Sequence, residues 1–197
     1  MLLPRSFYLR PDVVQIARDL LGKHLVTRMS GVTTSGIICE TEAYAGVTDR
    51  ASHAFGGRRT QRTEIMYCPG GTAYIYLCYG VHSLFNVVTN EQDIPHAVLI
   101  RGIIPDKGKE TMLERTGKVK ITKDFGIGPG KVSKLLGIHY SNSGLDLTNV
   151  NENAQAAIWV EDRSININPA DIIAGPRIGV GYAGEDALLP YRFRISF

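Results

Sequence analysis

Residues 72–89 read Thr72-Ala73-Tyr74-Ile75-Tyr76-Leu77-Cys78-Tyr79-Gly80-Val81-His82-Ser83-Leu84-Phe85-Asn86-Val87-Val88-Thr89. Two runs rich in aromatic and β-branched residues, Thr72–Tyr79 and Ser83–Thr89, are joined across Gly80-Val81. That pattern predicts two antiparallel strands. Side chains alternate along a strand, so Tyr74 and Tyr76 share one face and Tyr79 falls on the other parity beside the turn. Such a cluster of tyrosines is more often sheet filler than a binding device. A ring at a hairpin tip is different, because it has little to pack against. It could wedge between base pairs as minor-groove proteins do, at an unstacking cost of roughly a few kcal/mol per step.

Further strands are predicted on both sides. His24–Thr27 and Ile37–Tyr44 flank a turn near Gly31, and His96–Ile104 ends at Pro105. Before them, Pro11-Asp12 followed by Val13, Val14, Ile16, Ala17, Leu20 and Leu21 predicts an amphipathic helix. Asp12 is its cap and Gly22 its stop. Ala45–Arg62 is a loop rich in Gly and Arg, and Asp106–Phe125 is charged, with its first half helical. Ile127-Gly128-Pro129-Gly130-Lys131 opens a short helix through Leu136, since Pro suits the first helical position. Ser141–Asn153 is polar loop. Ala156–Glu161 and Tyr191–Phe197 are late strands, with the Gly-rich stretch Gly175–Gly184 between them. No repeat, linker or composition break divides the chain. One α+β domain over residues 1–197 with a mixed, mainly antiparallel sheet is the expectation.

Composition bounds function only loosely. With 197 residues, 44% of them hydrophobic and 21% charged, the chain has the balance of a soluble domain large enough to hold a core without disulfides or metal. A formal net charge of +3 permits nucleic acid as a partner without requiring it. Cys39, Cys68 and Cys78 are odd in number and lack CxxC spacing, so buried free thiols in a reducing cytosol are expected. No signal peptide opens the chain, and no apolar run approaches the ~18 residues of a membrane span, which favours a cytoplasmic protein with no membrane partner.

The chemistry begins at Glu40-Thr41-Glu42-Ala43-Tyr44, where alternation sets Glu40, Glu42 and Tyr44 on one face. One reading is a solvated face, or an acid paired with an arginine such as Arg101. The other is a carboxylate able to deprotonate water beside an aromatic platform. His53 lies in the loop near Arg58, Arg59 and Arg62, which either clamp phosphates or solvate the loop. No His or Cys spacing suits a metal, and no nucleophilic Ser or Cys setting is present. Gly128–Lys131 is too short for a Walker loop, but a DNA phosphate could sit at that helix N-terminus beside Lys131. Residue types alone lead to a soluble α+β domain able to bind nucleic acid.

Taken in order, these motifs resemble the alkyladenine (3-methyladenine) DNA glycosylase family. The resemblance runs through Ala17–Gly22, Glu40–Gly46, Ala51-Ser52-His53, Gly56-Gly57-Arg58, Gly71–Tyr76, Tyr79-Gly80 and Phe85-Asn86-Val87. It continues through Ala97–Arg101, Gly128-Pro129 and Pro176–Gly181, and so covers nearly the whole chain. It implies a compact domain with a curved sheet, flanking helices and a protruding β-hairpin that enters the minor groove. Glu42 would be the general base and Arg101 would hold the water network beside it. Tyr44 and Tyr76 would form a slot for a flipped base, with His53 closing it, Asn86 excluding normal guanine, and Met66 and Leu99 lining it. Tyr79 would be the intercalating wedge. Arg58, Arg62 and Lys131 are the candidates for DNA backbone contacts.

The implied activity is hydrolysis of the N-glycosidic bond of alkylated or deaminated purines in double-stranded DNA. It would need no cofactor and no metal, involve no lyase step, and be carried out by a monomer. Ser52 and Val81–Leu84 depart from the vertebrate pattern, which touches base preference and the groove contacts around the wedge. Two rivals stand beside this reading. A non-catalytic nucleic-acid-binding module, such as a tRNA-binding-like domain, would give Glu42 no task. An enzyme of free nucleosides would not need the Tyr79 hairpin.

Overall fold

The computed structural model describes residues 1–151 and 153–195. Strands β1 (His24–Met29), β2 (Val32–Tyr44), β3 (Ala73–Cys78), β4 (His82–Thr89), β5 (His96–Pro105) and β6 (Ala156–Glu161) join in the order β3-β4-β5-β2-β1-β6. β7 (Ile173–Gly175) pairs with β8 (Arg192–Arg194), and β8 pairs with β2. Every strand pairing among the described residues is antiparallel. The expected α+β class with a mainly antiparallel sheet is what the chain adopts.

β2 is longer than the predicted Ile37–Tyr44, and its length curls the sheet. β5 follows one edge of it from Gly36 to Tyr44. On the other edge, Val32–Ile37 pairs with β1 and Glu40–Glu42 pairs with β8. The β2–β5 register shifts on both sides of the Glu40↔Gly102 pair. A side chain at 102 would put its Cβ 3.0 Å from the Glu40 Cβ and 3.1 Å from the Cys39 Sγ, so glycine lets the two strands approach here without crowding.

The β3–β4 ladder runs from Ala73↔Val87 to Cys78↔His82. Tyr79 is a turn residue, not the end of a strand. Val81 N–H donates to the Cys78 carbonyl at 3.1 Å, and Tyr79 and Gly80 have φ of 51° and 69°. Two successive positive φ values normally select Asn-Gly or Gly-Gly. A tyrosine at the first of these positions carries roughly 1–2 kcal/mol of strain.

Alternation gives the sheet two unlike faces. Ala43, Ala73, Ile75, Phe85, Val87, Val98 and Ile100 point into the main core. There they meet Ile16 and Ala17 of helix α2 (Val13–Asp19), Leu20 just beyond it, and Val132, Leu135 and Leu136 of α4 (Pro129–Leu136). Among the described residues α1 (Arg5–Tyr8) and α3 (Lys109–Thr116) are further helices. The opposite face carries the row Tyr74↔Asn86↔Leu99↔Glu42, one residue from each of four neighbouring strands.

α2 starts as predicted, with the Asp12 carboxylate accepting from Gln15 N–H at 2.9 Å. It stops two residues before Leu21, because Leu20 and Leu21 turn under the sheet and Gly22 N–H donates to the Ile38 carbonyl. Asp12→Ala should lower stability by about 1 kcal/mol, seen as a lower urea midpoint with an unchanged slope. An unshifted midpoint would mean that the cap contributes nothing. α4 opens at Gly128-Pro129 and ends at Gly137 (φ 68°), as the sequence suggests. The late strand predicted over Tyr191–Phe197 is shorter, and Ser196 and Phe197 lie outside the described residues. Cys39 is a buried free thiol, but Cys68 and Cys78 are only half-buried. Each closes an element, after the turn Glu64–Tyr67 and at the end of β3, where the core no longer covers it. Among the described residues no helix is long and apolar enough to cross a membrane.

Candidate active site

On the face opposite the core lies a cavity of about 250 Å³, many times the roughly 10–15 Å³ that holds one water. Its floor and one wall come from alternate residues of β2–β5: Tyr44, Tyr74, Tyr76, Leu84, Asn86, Ala97, Leu99 and Arg101. The loop after β2 adds Ala51, Ser52, His53 and Met66, and the segment after β7 adds Ile178, Gly179, Val180 and Tyr182. Tyr79 reaches it from the turn. Of the residues predicted from sequence, Tyr44, His53, Met66, Tyr76, Tyr79, Asn86, Leu99 and Arg101 therefore line one hollow.

Glu42 sits directly behind that hollow, wholly buried at 0% exposure. One carboxylate oxygen accepts the Tyr44 hydroxyl at 2.8 Å and the other accepts Ile178 N–H at 2.7 Å. The Arg101 Nε lies 3.4 Å from the second oxygen. All three of these partners border the cavity. Glu40, two residues back, is instead tied to Arg101 at 3.3 Å and to Arg192 at 3.2 Å. Burial pushes the Glu42 carboxyl above its ordinary range, against the pull of Arg101, the Ile178 amide and Tyr44. Desolvation of the charged form is the larger effect.

The aromatic groups form a cluster with one member apart. Tyr74 and Tyr76 lie 5.5 Å apart between ring centres, and His53 meets Tyr76 edge-on at 4.7 Å. His53 Nδ1 is 2.9 Å from the Tyr74 hydroxyl, and its Nε2 faces Arg62 at 3.4 Å. A guanidinium only donates, so Nε2 is the acceptor and Nδ1 carries the proton. Burial, with Arg62 and Arg58 nearby, lowers the His53 pKa to about 4, so the imidazole is neutral at physiological pH. Tyr44 makes no ring contact with this cluster among the described residues. Its ring lies under Arg177, whose guanidinium carbon is 4.8 Å from the ring centre. Asn86 is buried with both amide hydrogens engaged, by the carbonyls of Tyr74 at 3.1 Å and Leu84 at 3.2 Å. Its orientation is fixed.

The basic candidates divide. Arg62 lies over the Tyr76 ring at 4.8 Å, against a wall residue of the cavity without lining it. Arg58 is exposed on the loop. Lys131, in the first turn of α4, is bound to the carbonyl and carboxylate of Asp124. Tyr79 is 93% exposed. Among the described residues no group of three or more His, Cys, Asp or Glu side chains is placed to hold a metal.

Reading the sequence did not single out Asp49, Arg177, Ile178 or Tyr182. Arg177 is buried and donates to the Asp49 carboxylate through both terminal nitrogens, and also to the carbonyls of Ala43 and Asp186. That clamp fixes the next residue, Ile178, whose amide holds Glu42. The only signal was Pro176–Gly181 in the motif series, which marks a segment without showing what it touches.

Comparison with known proteins gives a consistent result. The family model described as methylpurine-DNA glycosylase matches residues 6–196. A Chlamydia felis protein is 46% identical over 196 residues, spanning 99% of this chain and 96% of its own. A Clostridium perfringens protein is 42% identical over 203 residues, spanning 100% and 96%. A Bacillus cereus protein is 42% identical over 195 residues, spanning 96% and 93%. All three carry the name "Putative 3-methyladenine DNA glycosylase".

Proposed function

The chain belongs to the methylpurine-DNA glycosylase family, and from that premise we propose that it turns alkylated purines out of duplex DNA and hydrolyses the base–sugar bond. The observation that carries this reading is Glu42. It is an acid with no solvent exposure, held by three groups that border an aromatic cavity. A module that only bound nucleic acid would gain nothing from a carboxylate buried at such a desolvation cost.

A purine inside the helix cannot present its glycosidic bond to the protein, so the nucleotide must swing out, at a cost of a few kcal/mol. Tyr79 fills the gap it leaves, and the strained turn holds that ring outward. Stacking on Tyr76 and Tyr44 returns about 1–3 kcal/mol per base. Alkylation leaves many purines cationic, which adds roughly 0.5–2 kcal/mol over a desolvated ring. The neutral His53 adds no opposing charge. Asn86, unable to turn away, meets the exocyclic amine of a normal guanine. Glu42 takes the proton from a water attacking the sugar carbon, and Arg101 holds the two in register. A positioned carboxylate of this kind supplies roughly 10²–10⁴-fold.

Release of free methylpurine from a methylated duplex tests this reading. No release would overturn it, and an enzyme–DNA adduct trapped by borohydride would overturn water as the nucleophile. Tyr79→Gly should relieve the turn and raise stability by about 1 kcal/mol. Excision should still fall by roughly 5- to 100-fold, since the wedge is gone. Excision at the wild-type rate would remove Tyr79 from that role.

The pH profile gives a further check. A base acts only when ionised, and burial raises the Glu42 carboxyl. Single-turnover excision should therefore fall as pH drops through a midpoint above the ordinary carboxylate value of about 4.3. His53, at about 4, titrates on the acid side of that midpoint. His53→Gln should thus leave the acid limb in place. A limb that moved with His53 would transfer the titration to the histidine.

A further inference from the structure

Tyr182 has no part in the reading above, yet it lines the same cavity. It lies in the 3-10 segment Gly181–Leu188 and is 71% exposed. Its hydroxyl donates to the Ala51 carbonyl at 3.2 Å, and Ala51 is a buried wall residue of the same cavity. Four residues earlier, Ile178 N–H is bound to Glu42. The ring is therefore tethered to the site through its hydroxyl, and the backbone leading to it through the Ile178 amide, while its own surface remains open to solvent. Tyr44, Tyr74 and Tyr76 are each far more covered.

That difference in exposure sorts the tyrosines by depth. A base seated among Tyr44, Tyr76 and His53 fills the interior of the hollow, and its deoxyribose must then cross the mouth, where Tyr182 stands. We propose that the Tyr182 ring packs against the deoxyribose of the extruded nucleotide and so positions the sugar carbon over Glu42. This inference rests on the function proposed above. Tyr182 is a positioning residue, because it acts on where the sugar rests and takes no part in proton transfer. The apolar face of a sugar suits a phenol ring whose only polar atom is already engaged.

The test uses a duplex carrying one tetrahydrofuran abasic analogue, which keeps the sugar and lacks the base, beside an unmodified duplex of the same sequence. Tyr182→Ala should bind the abasic duplex about tenfold more weakly and the unmodified duplex as the wild type does. Single-turnover excision from a methylated duplex should fall by a similar factor. Tyr182→Phe, which keeps the ring and loses the tether, should stay within about twofold of wild type on both measures. Equal losses on both duplexes would overturn the proposal, as would unchanged binding to the abasic one. So would a Phe variant as weak as the Ala variant, since the hydroxyl would then carry the effect. Failure of the wild-type protein to release base would instead remove the underlying function, and that result is read before any variant is made.

Discussion

Glu42→Gln is expected to fold and to bind methylated duplex, yet to release base about 10²–10⁴-fold more slowly than the wild type. Glutamine has the same shape, can still accept Ile178 N–H, and leaves Arg101 its Glu40 partner at 3.3 Å. What disappears is the proton acceptor of the proposed mechanism. Stability should move the other way. The folded protein holds the Glu42 pKa above its unfolded value, so the folded state favours the proton. As pH rises through the unfolded carboxylate pKa and on through the raised one, the wild type loses stability that the glutamine variant keeps. The variant should therefore melt higher at neutral pH, with the gap closing in acid where both side chains are neutral. Normal turnover by the variant would exclude Glu42 as the base. A variant that melted lower at neutral pH would show that the Arg101 pairing outweighs burial.

Asp49→Ala should be the most damaging single change to the fold around the site, at about 3–5 kcal/mol. Its carboxylate is 2% exposed and faces Arg177, whose side chain is fully buried. It also accepts the amides of Ala45 and Ala51, each at 3.0 Å. Removing it strands a guanidinium away from water with no counter-charge, the situation in which a broken buried pair costs most. With a urea slope of roughly 1–3 kcal/mol per molar, the midpoint should drop by about 1–5 M. Excision should fall as well, because Arg177 fixes the neighbouring Ile178 amide on Glu42. A double variant, Asp49→Leu with Arg177→Met, should recover much of the lost stability without restoring activity. A loss below about 1 kcal/mol for the single change would show that the clamp is not what holds this segment.

Local chemistry makes much of the arrangement legible in the sequence. The period of two along a strand placed Glu40, Glu42 and Tyr44 on one face, and Tyr74 and Tyr76 together on another. These residues do share the sheet face that carries the cavity. The Asp12 cap located the start of α2, because an exposed amide at a helix start needs a nearby oxygen, and Pro129 located the start of α4, because proline suits the first helical position. The resemblance to a family put Glu42 ahead of Glu40. Alternation alone could not, since both acids have the same parity.

Folding decided what depends on distant partners. Arg177 and Asp49 are 128 residues apart, and Ile178 and Glu42 are 136 apart. No spacing rule links positions so remote, because their meeting depends on how β8 pairs with both β2 and β7. Depth was settled in the same way. Tyr44, Tyr79 and Tyr182 are one residue type to a sequence reader, but one is locked to an acid, one stands on a strained turn and one stands at the mouth. The chain by itself determined which side chains face together, since that follows from backbone geometry over a few residues. Burial, and with it the proton affinity of Glu42, came only from the tertiary structure, since desolvation is set by everything that surrounds a group.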